Sequence, residues 1–127
     1  SRYVRLHHVF HTIPSARVGE LRTFYGEVLG LPEIAKSTAL GEMNVVWFAV
    51  GEDHLHFGID DDWERGHPAH HIALWFDDLR PVLARLREAD YEITRLDDFP
   101  DYRYRRLYTN DPFGRRIEMV TALDAPL

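Results

Sequence analysis

The chain contains no cysteine, which excludes disulfides and thiolate metal sites and leaves the redox compartment open. No apolar run approaches the roughly 20 residues needed to span a bilayer, so no membrane is expected as a partner. The opening SRYVRLHH lacks the apolar core of a signal peptide, and a cytoplasmic protein is the expectation. Net charge is −6 and basic residues form no cluster beyond the short run RYRR (Arg103 to Arg106), so nucleic acid is not expected either.

What is present belongs to a folded protein. A 127-residue chain with 45% hydrophobic and 13% aromatic residues is large enough to bury a core of its own as one domain. Leu6 to Ile13 reads as a strand stopped by Pro14, which cannot donate to a ladder. A helix follows, with Ser15 as its cap and Val18, Leu21, Phe24, Tyr25, Val28 and Leu29 at helical spacing, ended by Gly30. After a polar stretch through Gly41, Asn44 to Val50 and His54 to Ile59 read as two strands joined by a turn at Glu52-Asp53 after Gly51. Asp60 to Pro68 reads as a linker.

The second half replays this order. His70 to Phe76 is a strand, and Leu79 to Ala89 is a helix with Pro81 in its first turn. Tyr91 to Ile93 opens the next extended segment, and Arg105 to Thr109 and Arg116 to Thr121 flank the turn NDPFG as a hairpin. Each half is a strand, a helix, and two or three further strands, which is an internal duplication. His8 and His71 lie 63 positions apart, and His56 and Glu118 lie 62 apart. Four metal-capable residues thus occupy matching places in two copies.

Strand parity sharpens the pattern, because alternate residues point to opposite faces. His71 shares a face with Ala73 and Trp75, leaving Ile72, Leu74 and Phe76 as the apolar stripe. His56 shares one with His54 and Gly58, and Ile117 and Met119 pack behind Glu118. On the first strand His8, Phe10 and Thr12 face one way, while His11 falls on the opposite face with Val9 and Ile13. Two histidines and a carboxylate match the ligand preferences of nickel, manganese, iron(II) or zinc. His56 reads either as a fourth ligand or as a hydrogen-bonding acid/base group. His7, His11 and His70 point away from the site by parity, His54 lies on the cavity side near the strand start and reads either as a rim residue or as a functional one, and His67 lies in the linker. Phe10, Trp47 and Trp75 read as substrate-pocket residues or as plain core. The RYRR run reads as contacts to an anionic substrate or as a solvated strand edge.

The runs LHHVFHTIPSARVGELRTFYGEVLGLPEI, HHIALWFDDL and YTNDPFGRRIEMV, in this order and spacing, resemble the vicinal oxygen chelate superfamily of glyoxalase I, bleomycin resistance proteins and extradiol dioxygenases. The resemblance covers nearly the whole chain. It implies an α+β fold of two βαβββ modules, about 5–60 and about 69–122, joined by a linker at about 61–68, whose sheet curls around a metal-containing cavity. Its ligand positions fall on His8, His56, His71 and Glu118. It further implies a divalent-metal-dependent enzyme (a lyase, isomerase, transferase or dioxygenase) that chelates a small oxygen-rich substrate, and a homodimer. Glu118 and His56 are then the catalytic candidates. The alternative within the superfamily is a metal-free protein that binds an antibiotic and confers resistance.

Overall fold

A computed structural model describes residues 2–35 and 44–127. The polar stretch expected to run through Gly41 lies mostly outside the described residues. Contacts divide the chain into two compact units, Ser1–Glu64 and Arg65–Leu127. Each is a strand, a helix and three strands, so the two βαβββ modules are present, and each builds one open four-stranded sheet.

In the first unit β1 (His8–Ile13) is followed by a helical stretch, then β2 (Glu33–Ile34), β3 (Val45–Val50) and β4 (Asp53–Ile59). The sheet order is β1-β4-β3-β2, with β1 parallel to β4 and the other pairs antiparallel. The helical stretch is not uniform. It opens as 3-10 turns over Ser15–Arg17, becomes α1 over Val18–Leu21, and widens into a π-helix over Arg22–Val28. Its apolar side nonetheless buries Leu21, Phe24, Tyr25 and Val28 as the spacing predicts, with the Tyr25 and Phe57 rings 4.8 Å apart. Gly30 ends the stretch at φ 79°, a left-handed conformation that glycine adopts without a Cβ clash, and the Leu31 N–H reaches back to the Tyr25 carbonyl at 3.0 Å.

Ser15 does not cap the helix. Its backbone N–H and its hydroxyl both donate to the Asp61 carboxylate, at 2.8 and 3.0 Å. The hydroxyl serves as donor to an ionised carboxylate, a charge-assisted bond, and ties the exit of β1 to the chain just past β4. These bonds hold the Asp61 carboxyl below its ordinary range. The β3–β4 hairpin also turns one residue earlier than expected. Gly51 (φ 58°) and Glu52 form the two-residue loop, and Asp53 already pairs with Val50.

The second unit follows the same plan with β5 (His71–Trp75), α2 (Arg80–Glu88), β6 (Arg95–Phe99), β7 (Tyr104–Asn110) and β8 (Arg116–Ala122) in the sheet order β5-β8-β7-β6. Leu79, Val82, Leu83 and Leu86 along the helix, and Leu107, Ile117 and Met119 on the sheet, are all buried. Burying each such side chain contributes about 1.5–3 kcal/mol. The NDPFG turn is built around Asp111, whose carboxylate accepts the backbone N–H groups of Phe113 (2.9 Å) and Arg115 (2.8 Å), with Gly114 at φ 81°. β6 begins later than the Tyr91–Ile93 segment suggested. Its sequence RLDDF is an exposed edge held by β7 alone, so it carries no apolar alternation to announce it. Among the described residues no helix is long and apolar enough to cross a membrane.

Candidate functional site

The two sheets place their polar residues by the same register. In the first, the parallel pairing sets His8 opposite His54 and Phe10 opposite His56. In the second it sets His71 opposite Arg116 and Ala73 opposite Glu118. In both, the second member of the candidate pair lies two residues beyond the partner of the first. The antiparallel neighbour completes the match, with Trp47 opposite His56 and Tyr108 opposite Glu118. The set His8, His54, His56 and Trp47 is therefore reproduced as His71, Arg116, Glu118 and Tyr108.

In the first unit the site is a cluster of rings. The imidazoles of His8 and His56 stack with centroids 4.3 Å apart, and Trp47 stacks on His56 at 3.8 Å and an interplanar angle of 8°. The His54 Nδ1 lies 3.1 Å from the His56 Nε2. His56 is buried, and burial foremost, then the charges His8, His54 and His7 would carry, pull its pKa down to about 4. It is therefore neutral at pH 7, with one nitrogen carrying a lone pair. Among the described residues the buried indole N–H of Trp47 has no hydrogen-bond partner.

His7 corrects the parity expectation. Parity puts it on the face away from the site, yet its Nδ1 is 3.0 Å from the His8 Nδ1, and its ring centroid is 5.8 Å from that of His54. The ladder starts only at His8, so strand alternation does not govern the residue before it. His54, expected at the rim or in the site, joins the cluster through His56. His11 does fall on the other face, 6.2 Å from the Phe57 ring, and His70 sits with His67 at 5.2 Å.

The second unit has one imidazole and one carboxylate instead. The His71 Nε2 is 2.9 Å from Glu118 Oε1, while its Nδ1 is 2.9 Å from the Ala69 carbonyl oxygen. A carbonyl can only accept, so Nδ1 carries a proton. In the neutral ring Nε2 is then a lone pair facing a carboxylate oxygen, and only a proton or a cation between them makes that approach favourable. Glu118 is 6% exposed, so its charge has little access to water to relieve the demand.

The aromatic candidates divide. Phe10 and Trp75 are 53% and 59% exposed, which rules out the core reading for both. Phe10 is nevertheless seated, since a Cβ on Gly58 would come within 2.5 Å of its ring. The RYRR run divides as well. Arg105 bonds Asp98 and the Ala125 carbonyl, Arg106 bonds Asp97 on the face that carries Glu118, and Arg103 sits in a turn at φ 62°. Tyr108 and Arg116 were not singled out from the sequence. Their signal was the hairpin register, because Tyr108 faces Glu118 across NDPFG just as Trp47 faces His56 across Gly51-Glu52.

Comparison with known proteins agrees with this architecture. The family profile of the Glyoxalase/Bleomycin resistance protein/Dioxygenase superfamily matches residues 5–119. The chain belongs to that superfamily. A glyoxalase family protein from Bacillus anthracis is 28% identical and superposes with a TM-score of 0.80, covering 96% of this chain and 98% of that one. A glyoxalase/dioxygenase from Nostoc punctiforme is 22% identical, with a TM-score of 0.77 over 93% of this chain and 90% of that one. Lactoylglutathione lyase from Agrobacterium tumefaciens is 16% identical, with a TM-score of 0.70 over 94% and 95% of the two chains, a likeness of fold. No curated protein matches the chain in sequence.

Proposed function

We propose that this superfamily member is a divalent-metal-dependent enzyme acting on a small oxygen-rich substrate, with His8, His71 and Glu118 as ligands and His56 as a fourth ligand or an acid/base group. The observation that carries the reading is the His71–Glu118 contact, an imidazole nitrogen and a carboxylate oxygen 2.9 Å apart, repeated in register by the His8–His56 pair. Among the described residues no group of three or more His, Cys, Asp or Glu side chains is arranged to hold a metal ion, so the ligand candidates come as two pairs and their union in one site is part of the proposal.

The donor set fits the group. Neutral imidazole and carboxylate suit nickel, manganese, iron(II) and zinc, and the bond from His71 Nδ1–H to the Ala69 carbonyl fixes the tautomer a ligating Nε2 requires. A bound metal ion would act as a Lewis acid on substrate oxygens. The protein's own residues do the rest. Trp47 and His54 hold the His56 ring in one orientation, and the neutral His56 can accept a proton. Phe10 and Trp75 offer apolar surface to the substrate. A metal-free antibiotic-binding role is not favoured, because it leaves the two ligand-type pairs without a purpose. A cytoplasmic homodimer remains the expected state.

The test is elemental analysis of untagged protein prepared without chelator, beside a His8→Ala, Glu118→Ala double variant. About one divalent ion per chain in the wild type, lost in the variant, is the expected result. No metal in the wild type, and none taken up from manganese, nickel, iron(II) or zinc, would overturn the proposal.

A further inference from the structure

We propose that Arg116 anchors an anionic oxygen group of the substrate, a phosphonate, phosphate or carboxylate, beside His71 and Glu118; the identity of the bound molecule as a substrate rests on the metal-enzyme reading above. Arg116 and Glu118 alternate on one face of β8, and Arg116 stands directly opposite His71 on β5. Both lie against one ring. The Arg116 guanidinium carbon is 4.9 Å from the Tyr108 centroid, and the His71 ring is 5.7 Å from it. Tyr108 thus positions the guanidinium next to the candidate ligand without neutralising it.

Among the described residues no carboxylate pairs with Arg116. In a chain of net charge −6 this half-buried guanidinium stands apart from the acids that pair with the other arginines of its face. Arg95 and Arg106, 5.5 and 5.8 Å from the Tyr108 ring, both bond the single carboxylate of Asp97. The face therefore carries three guanidinium groups against Asp97 and Glu118. A guanidinium is always charged and presents a planar fork of donors that matches two oxygens of a phosphonate, phosphate or carboxylate. The equivalent position of the first unit holds His54, which turns to His56, so the anion preference belongs to the second unit alone.

The experiment is calorimetric titration of the full chain with inorganic phosphate, methylphosphonate and acetate, after chelator treatment and again after loading with manganese. Phosphate and methylphosphonate are expected to bind the chelator-treated wild type, with Arg116→Gln weakening them at least about tenfold and Arg116→Lys less. Acetate binding more tightly than both would assign the group as a carboxylate, still through Arg116. Manganese stoichiometry should be the same in Arg116→Gln as in the wild type. Equal anion affinities in wild type and variant, or no anion binding by the wild type, would overturn the proposal. Should Arg116→Gln not fold by circular dichroism, Arg116→Lys and Tyr108→Leu carry the same comparison. Anion binding by a protein that takes up none of manganese, nickel, iron(II) or zinc would instead remove the metal-enzyme reading and leave the anion site standing.

Discussion

The two sheets have the same strand order, the same parallel closure and the same register, yet they carry different chemistry. The first presents aromatic rings: His7, His8, His54 and His56, with Trp47 stacked on His56. The second presents charge: Glu118 paired with His71, and Arg116, Arg106 and Arg95 gathered around Tyr108. Backbone geometry determines where functional side chains can stand, and single positions decide what they do there. His56 and Glu118 occupy one place in the repeat, as do His54 and Arg116, and these two differences separate a hydrogen-bonding, stacking sheet from a charged one.

The sharpest way to break this contrast is to remove the proposed charged ligand. Glu118→Ala should lower manganese affinity by about a hundredfold or more, because it deletes an anionic donor, whereas His56→Ala should cost about tenfold. Equal losses in competitive chelator titrations would show that the two sheets contribute alike. Gly58 offers the next largest effect. Gly58→Ala pushes a methyl group into the Phe10 ring and should destabilise the protein by about 1–3 kcal/mol in urea unfolding, with Phe10→Ala relieving most of the clash. The corresponding place in the second sheet is Val120, opposite Trp75 where Gly58 is opposite Thr12, so Val120→Ala should show no such rescue by Trp75→Ala.

A third test uses acid. His56 titrates near 4 in the folded protein against 6.5 in the unfolded chain, so between those values the unfolded state binds more protons. Stability of the metal-free protein should be insensitive to this group above pH 6.5 and fall by roughly 1–3 kcal/mol as pH drops from 6.5 to 4. His56→Gln should flatten that part of the pH profile of urea unfolding. The smallest effects belong to the exposed ion pairs that each unit carries, Arg22–Glu33 and Arg80–Asp78. Arg22→Ala and Arg80→Ala should each change stability by less than about 1 kcal/mol.

Much of this was legible in the amino-acid order. The duplication and the face shared by His71 and Trp75 follow from apolar alternation and helical spacing, which are local signals, whereas the full βαβββ plan comes with the family resemblance. His7 was misread because parity holds only inside a ladder, and one residue decides where the ladder starts. β2 was not separated from the polar stretch around it, since two residues leave no period to detect. Ser15 reads as a cap in sequence because the carboxylate it donates to, Asp61, is 46 residues away. Arg116 stayed anonymous for a similar reason. An arginine on a strand reads as a solvated surface, and its want of a carboxylate emerges only once the neighbouring strands are in place.

The parallel closure of each sheet also bears on how the protein is made. The first strand of each half finds its partner in the last, β1 with β4 and β5 with β8, so that contact spans nearly the whole module and carries the largest loop-closure cost. His8 and His56 sit on that final seam in one half, His71 and Glu118 in the other. As the chain leaves the ribosome, helices and hairpins can form while either candidate site is still open, and the reactive groups meet only when the closing strand docks.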